Sequence, residues 1–114
     1  MKSSFELSLK ALLALTLSMF CFSAHAVDAD AAKAFAKQNN CLRCHGVDKA
    51  KDGPAFNSVA AKFKGKPDAE ATLLKHLSSG EPAKFPDGHT EAHMILKSDD
   101  AAASKNLVDW ILSL

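Results

Sequence analysis

The stretch that decides the fold of this chain is Cys41-Leu42-Arg43-Cys44-His45. Its two thiols lie three positions apart, so on one helical turn they project from the same side. The residue that follows them adds an imidazole. The preceding residues 30–38 are rich in alanine and lysine, which is a helical composition and not that of a hydrophobic strand. Two thiols and one imidazole therefore lie together at the end of a predicted helix.

Three kinds of site use two cysteines at this spacing. A thioredoxin-like redox pair follows a hydrophobic strand, and no strand pattern precedes Cys41. A structural zinc site needs four Cys or His ligands, and no second C-x-x-C or paired histidines at finger spacing follow. Attachment of a c-type haem uses the thiols for two porphyrin vinyl groups and the histidine for the iron. We therefore predict one covalently bound haem c, with its iron, held by Cys41, Cys44 and His45.

The first 26 residues have the features of a secretory signal peptide. Lys2 and Lys10 precede an uncharged run over residues 11–22, and Ser23-Ala24-His25-Ala26 supplies small residues at the expected cleavage positions. The run is shorter than the roughly 20 residues that a membrane-spanning helix needs. We expect residues 1–26 to be removed and residues 27–114 to form a single domain in the periplasm, with no membrane span. Export agrees with haem attachment, because the thioethers are made outside the cytoplasm.

Composition limits what this domain can be. The whole chain has 14 basic and 13 acidic residues, and residues 27–114 carry no net formal charge, which argues against binding of nucleic acid. A domain of 88 residues buries a limited share of its surface, so a further source of apolar core is expected. A haem would supply it.

Apolar side chains recur at helical spacing in the rest of the domain, and no alternating strand pattern is found. Asp28 or Asp30 can cap the first helix, and Gly65 and Gly80 can end the middle two. Ser98 can cap the last, and the acids Asp99 and Asp100 complement the dipole at its start. The apolar stripes are Phe56, Val59, Ala60 and Phe63; Leu73, Leu74 and Leu77; and Leu107, Trp110, Ile111 and Leu114. We predict an all-α fold of three to four helices wrapped around the haem.

Over residues 28–114 the sequence resembles the small bacterial class I cytochromes c. The matching features are the Cys41–His45 motif at the end of a helix, the segment Asp52-Gly53-Pro54-Ala55-Phe56, and the C-terminal helix through residues 107–112. The resemblance implies that His45 is one axial ligand of the iron and that the carbonyl of Pro54 orients it. It also implies that a methionine is the second ligand and that Phe35 packs across the last helix near Trp110.

The second axial ligand has more than one candidate. Met94 is the only methionine in residues 27–114, and it precedes Trp110 by 16 residues, about the separation found in the resembled family. The family's methionine usually lies between prolines, whereas no proline lies close to Met94. His93 is the neighbouring alternative, and an open sixth position is the third. We take His45 and Met94 as the expected iron ligands, with His93 left open.

Charge is unevenly distributed along the domain. Residues 27–66 carry a net charge of +4 and residues 67–114 a net charge of −4. The basic excess lies mainly in a cluster after the motif: Lys49, Lys51, Lys62, Lys64 and Lys66. The cluster either steers the protein to an acidic redox partner or simply consists of solvated side chains.

The expected function is transfer of single electrons between periplasmic redox proteins, without catalysis. An open-iron enzyme would need polar catalytic groups over the iron, and the only arginine, Arg43, lies inside the motif. Two alternatives stay open: a haem subunit of a periplasmic dehydrogenase, and a sensor or enzyme with an open sixth site. The chain is expected to be a monomer or a small subunit of a complex.

Overall fold

The computed structural model describes residues 26–114. The predicted signal peptide lies outside this range except for Ala26, so its removal stays a prediction. Within the range there are five helices and one hairpin. They are α1 (Ala29–Gln38), α2 (Cys41–Cys44), α3 (Phe56–Phe63), α4 (Ala69–Ser79), β1 (Pro82–Lys84), β2 (Thr90–Ala92) and α5 (Ala101–Leu112). The helix α2 is a single turn, so the other four match the three to four helices predicted.

Local sequence signals fix the ends of the longer helices. The side chain of Asp28 accepts a hydrogen bond from the backbone N–H of Ala31 (2.9 Å) and caps α1. Asp100 caps α5 by accepting from the N–H of Ala103 (3.0 Å). Gly80 ends α4 with a left-handed backbone at φ 64°, a conformation that glycine adopts without a steric penalty. The boundaries predicted at Asp28 and Gly80 are confirmed, whereas the last helix is capped by Asp100 and not by Ser98.

The hydrophobic core lies where α5 crosses α1, α3 and α4. The buried side chains of this cluster are Ala32, Ala36, Phe56, Leu107, Trp110 and Ile111. Small alanines on α1 allow it to approach α5 closely. Phe35 is half-buried and packs against this cluster, and the ring of Trp110 meets that of Phe56 edge-on, with 5.7 Å between centroids. The core therefore brings α3, which follows the loop after the Cys41–His45 motif, against the C-terminal helix.

The hairpin β1–β2 was not predicted. Pro82 pairs with Ala92 and Lys84 with Thr90 in an antiparallel ladder of three residues on each strand. Nearly all of its side chains are exposed, so neither strand shows the apolar alternation that identifies a half-buried strand in a sequence. The short hairpin leaves the fold class all-α, but no strand pattern in the sequence indicated it. The hairpin matters because it leads directly into His93 and Met94.

Within residues 26–114, no helix combines the length and the apolar composition that crossing a bilayer requires.

Candidate haem-binding site

The two motif cysteines are free thiols on the single turn α2. The turn is set off from α1 by Asn40, which adopts a left-handed backbone at φ 60°, a conformation that asparagine tolerates better than most residues. Burial raises the pKa of the Cys41 thiol, and the nearby Cys44 raises it further. The two thiols thus lie half-buried on one turn, directly before the imidazole of His45.

The imidazole of His45 is held in one orientation by the backbone. Its Nδ1–H donates to the carbonyl oxygen of Pro54 at 2.7 Å, as the resemblance implies. The loop that carries Pro54 is itself fastened to the motif, because the N–H of Gly53 donates to the carbonyl of Cys44 at 2.7 Å. The ring of Phe56 stacks on the imidazole at 5.2 Å and 18°. This arrangement leaves Nε2 of His45 as the nitrogen for a metal bond.

Gly53 makes this orientation possible. A Cβ atom at this position would lie 2.4 Å from Cε1 and 2.8 Å from Nδ1 of His45, which is closer than such atoms can approach. A residue with any side chain would therefore push the imidazole away from the Pro54 carbonyl. Glycine at this position is explained by close approach of the backbone to the ring.

The segment 93–97, which follows the hairpin, approaches His45. The ring of His93 lies 6.1 Å from that of His45 and 4.2 Å from that of His76, centroid to centroid. The side chain of Met94 is 47% exposed, and the neighbouring Ile95 is 53% exposed. The structure thus brings His93 towards His45, while Met94 and Ile95 present apolar surface to solvent on the same segment.

His93 is chemically able to bind a metal. Burial lowers its pKa, and the nearby imidazoles of His76 and His45 lower it further, so the neutral form is favoured. Its Nδ1–H donates to the carbonyl of Met94 at 2.8 Å, which leaves the lone pair of Nε2 free. A neutral imidazole with one free nitrogen is the metal-binding form of histidine. Sequence reasoning named His93 only as the neighbour of Met94, because its approach to His45 depends on the hairpin.

The described residues around the motif fit a haem. Within residues 26–114, no three His, Cys, Asp or Glu side chains converge as a metal site would need. An open groove of about 320 Å³ runs beside Gly53 and Pro54 and is bounded across from them by Lys84, Phe85 and Pro86. Leu42, Leu77 and Leu96 are only partly buried against the core. These leucines pack on the same core as Cys41, and their partly exposed apolar surface is suited to a large flat apolar group.

Thiols that can be alkylated by a porphyrin, beside an imidazole aimed by a backbone carbonyl, define the attachment site of a c-type haem on an all-α scaffold. The family model described as cytochrome c matches residues 29–114, and the chain belongs to this family. It accordingly binds one haem c covalently, with its iron. Members of the family carry electrons, so the chain is an electron-carrier protein and not an enzyme.

Several known proteins are similar to the chain. It is 35% identical to cytochrome c-552 of Nitrosomonas europaea, over 69% of this chain and 74% of the relative. It is 36% identical to cytochrome c-551 of Pseudomonas aeruginosa, over 68% of this chain and 70% of the relative. Among solved structures, the class 1 cytochrome MtoD of Sideroxydans lithotrophicus ES-1 is 61% identical, with a TM-score of 0.75 over 77% of this chain and 97% of that one. These similarities confirm the all-α cytochrome c fold.

Proposed function

We propose that residues 27–114 form a periplasmic electron carrier whose haem is attached through Cys41 and Cys44 and whose iron is bound by His45 and Met94. The observation that carries the proposal is the 2.7 Å hydrogen bond between His45 and the Pro54 carbonyl, next to two free thiols on one turn. The haem iron supplies a one-electron couple between the ferrous and ferric states. The chain supplies covalent attachment, axial ligands and a partly apolar environment.

Pro54 and the core act on this couple through His45. The carbonyl of Pro54 accepts a hydrogen bond from Nδ1–H, which fixes the tautomer and makes Nε2 a stronger electron-pair donor to a metal. Phe56 stacks on the ring and is itself packed against Trp110, so the imidazole rests on the buried core. A ligand that does not move between oxidation states favours rapid electron transfer, because little reorganisation accompanies the change of charge.

Met94 is proposed as the sixth ligand because an exposed methionine beside an exposed isoleucine needs an apolar group to cover it. A thioether would raise the reduction potential and close the iron to small ligands. His93 is the second candidate, since its ring is 6.1 Å from that of His45. Ligation by His93 would lower the potential but would leave the electron-carrier function unchanged.

The lysine cluster of residues 49, 51, 62, 64 and 66 is proposed as the side that meets an acidic redox partner. All five side chains belong to exposed residues. The Nζ of Lys51 donates to the carbonyl of Leu42 inside the motif at 2.8 Å, so positive charge lies beside the attachment site. Lys62 and Lys66 each lie over the ring of Phe63, at 5.9 and 5.4 Å from its centroid. Such a surface would speed association at low ionic strength.

Expression with a haem-attachment system, followed by redox titration, tests the proposal. We expect a mass equal to residues 27–114 plus one haem, a reversible one-electron titration, and a low-spin spectrum in both oxidation states. Carbon monoxide should bind the ferrous protein slowly or not at all. A high-spin spectrum with rapid carbon monoxide binding would favour the sensor or enzyme alternative. A mass that retains residues 1–26 would contradict the proposed export.

A second experiment separates a diffusing carrier from a permanently docked subunit. A tagged protein would be purified from its native host at low and at moderate salt. A carrier held to partners by the lysine cluster should come away alone at moderate salt, since exposed charges are screened over about 8 Å at physiological ionic strength. Retention of a dehydrogenase or oxidase at moderate salt would instead show that the chain is a subunit.

A further inference from the structure

Asn39 is the one buried polar side chain among residues 26–114, with 7% of its surface exposed. It lies directly after α1 and two residues before Cys41. Burial of a polar group is costly unless its hydrogen bonds are made, so the contacts of this side chain show what keeps it there.

Both ends of the Asn39 amide are satisfied. Its Nδ2 donates to the carbonyl of Phe35 at 3.0 Å, which ties the side chain to the last turn of α1. Its Oδ1 accepts from the backbone N–H of Lys97 at 2.9 Å, across 58 residues of sequence. One side chain therefore joins the segment that leads into the thiol motif to the segment that carries His93 and Met94.

Two other hydrogen bonds hold the segment 93–97, and both are made by the backbone. The N–H of His93 donates to the carbonyl of Glu81 at 3.0 Å, and the N–H of Leu96 donates to the carbonyl of Leu77 at 2.9 Å. The bond from Lys97 to Asn39 is the one of the three that a side-chain substitution can remove directly.

We propose that Asn39 is a positioning residue that holds the segment 93–97 in place and so sets how readily an outside ligand displaces the chain's own sixth ligand. The inference rests on the proposed function, in which this segment supplies that ligand. It holds whether the ligand is Met94 or His93, because both lie on the segment that Asn39 fastens.

The physical reason is a shift between two states of the segment. With Asn39 present, moving the segment away breaks the hydrogen bond from Lys97 and leaves a buried amide oxygen unpaired. Without the side chain, the N–H of Lys97 has no hydrogen bond to Asn39 to lose when the segment moves away, and in the displaced state it can donate to water. The displaced state is then populated more, and an outside ligand binds more tightly by the same factor.

The test measures imidazole binding to the ferric holoprotein by absorbance titration, in wild type and in Asn39→Ala. We expect about tenfold tighter imidazole binding in the variant, which corresponds to about 1.4 kcal/mol. The matched control is Asn106→Ala. Asn106 also makes two amide hydrogen bonds, to the backbone N–H and carbonyl of Asp28 at 2.9 and 2.8 Å, but these join α5 to the start of α1.

The control should lose stability towards guanidinium while its imidazole affinity stays within about twofold of wild type. If both variants bind imidazole equally more tightly, or if Asn39→Ala binds it like wild type, the positioning role is wrong. Should Asn39→Ala not mature, Asn39→Leu keeps the volume of the side chain, removes its hydrogen bond to Lys97 and should also bind imidazole more tightly than wild type; imidazole binding like wild type by that variant overturns the inference. A wild-type protein with an open sixth site would instead refute the proposed function.

Discussion

The Nδ1 of His45 lies 2.7 Å from the carbonyl oxygen of Pro54, although nine residues separate the two in the sequence. Gly53 leaves room for the imidazole ring, and Phe56 stacks on the ring. The imidazole therefore has its orientation set by the chain itself. This relationship leaves Nε2 of His45 as the nitrogen that would bind the iron.

Gly53→Ala should disturb the ligation of the iron. The added methyl group would lie 2.4 Å from Cε1 of His45, so the ring or the loop has to move. Overpacking of this kind costs about 1–3 kcal/mol. We expect a weaker bond from His45 to the iron, seen as a larger high-spin fraction in the ferric spectrum and a lower midpoint in guanidinium unfolding.

Gly65→Ala is the matched control for that substitution. Gly65 has a backbone at φ 76°, but no atom lies within 4 Å of where its Cβ would be. A left-handed conformation costs a residue with a side chain about 1–2 kcal/mol. This variant should lose stability with an unchanged spectrum. Equal spectral change in both variants would contradict the role given to Gly53.

Trp110→Ala should remove the largest part of the packing behind His45. Trp110 is 3% exposed and its ring meets Phe56, which in turn stacks on the imidazole. Truncating a buried tryptophan costs about 3–5 kcal/mol of unfolding free energy. Guanidinium unfolding of the holoprotein measures this loss of unfolding free energy. Leu114→Ala, at a side chain that is 43% exposed, should change the same quantity by less than about 0.5 kcal/mol; a similar loss in both would refute this account of the core.

The turn of the hairpin should be most stable at mildly acidic pH. Hydrogen bonding to Asp87 raises the pKa of His89, and its ion pair with Glu91 adds to this. The backbone N–H and the ring of His89 in turn lower the pKa of Asp87. His89 stabilises the turn fully at pH values below its pKa in the unfolded chain. This stabilisation is lost as the pH rises through its higher pKa in the folded protein. Asp87 stabilises the turn fully at pH values above its pKa in the unfolded chain. This stabilisation is lost as the pH falls through its lower pKa in the folded protein.

Both contributions are therefore complete between about pH 4 and about pH 6.5, the ordinary pKa values of the two side chains. Amide exchange of Phe85, whose N–H donates to the carbonyl of His89 at 2.9 Å, would follow the hairpin in the reduced protein. Protection should fall on either side of this window in wild type. His89→Gln should remove the fall at high pH; an identical profile in the variant would show that His89 does not stabilise the turn.

Local signals in the sequence predicted the helices well. Asp28, Asp100 and Gly80 act within one turn of where they lie, so their effect on the chain does not depend on distant contacts. The motif cysteines and His45 were likewise recognisable because their chemistry depends on spacing within five residues. The Pro54 acceptor came from the family resemblance, and the structure shows it in place.

Features set by distant contacts were not predictable in the same way. The hairpin has exposed faces and hence no periodic pattern, although Asp87-Gly88 is a turn signal that could have indicated it. The approach of His93 to His45 depends on that hairpin. In the sequence, Asn39 is an ordinary residue after a predicted helix. Its hydrogen bond to Lys97 joins positions 58 residues apart and depends on the folded structure.

The central claim is that the chain closes the iron with His45 on one side and a ligand from the segment 93–97 on the other. Ferric absorption spectra of Met94→Ala and His93→Ala test it most directly. We predict a weak sulfur-to-iron band at the far-red end of the wild-type spectrum, retained in His93→Ala and lost only in Met94→Ala. A band absent from wild type, with the spectrum changed only by His93→Ala, would assign the ligand to His93. A wild-type spectrum that is high-spin, and unchanged in both variants, would contradict the account.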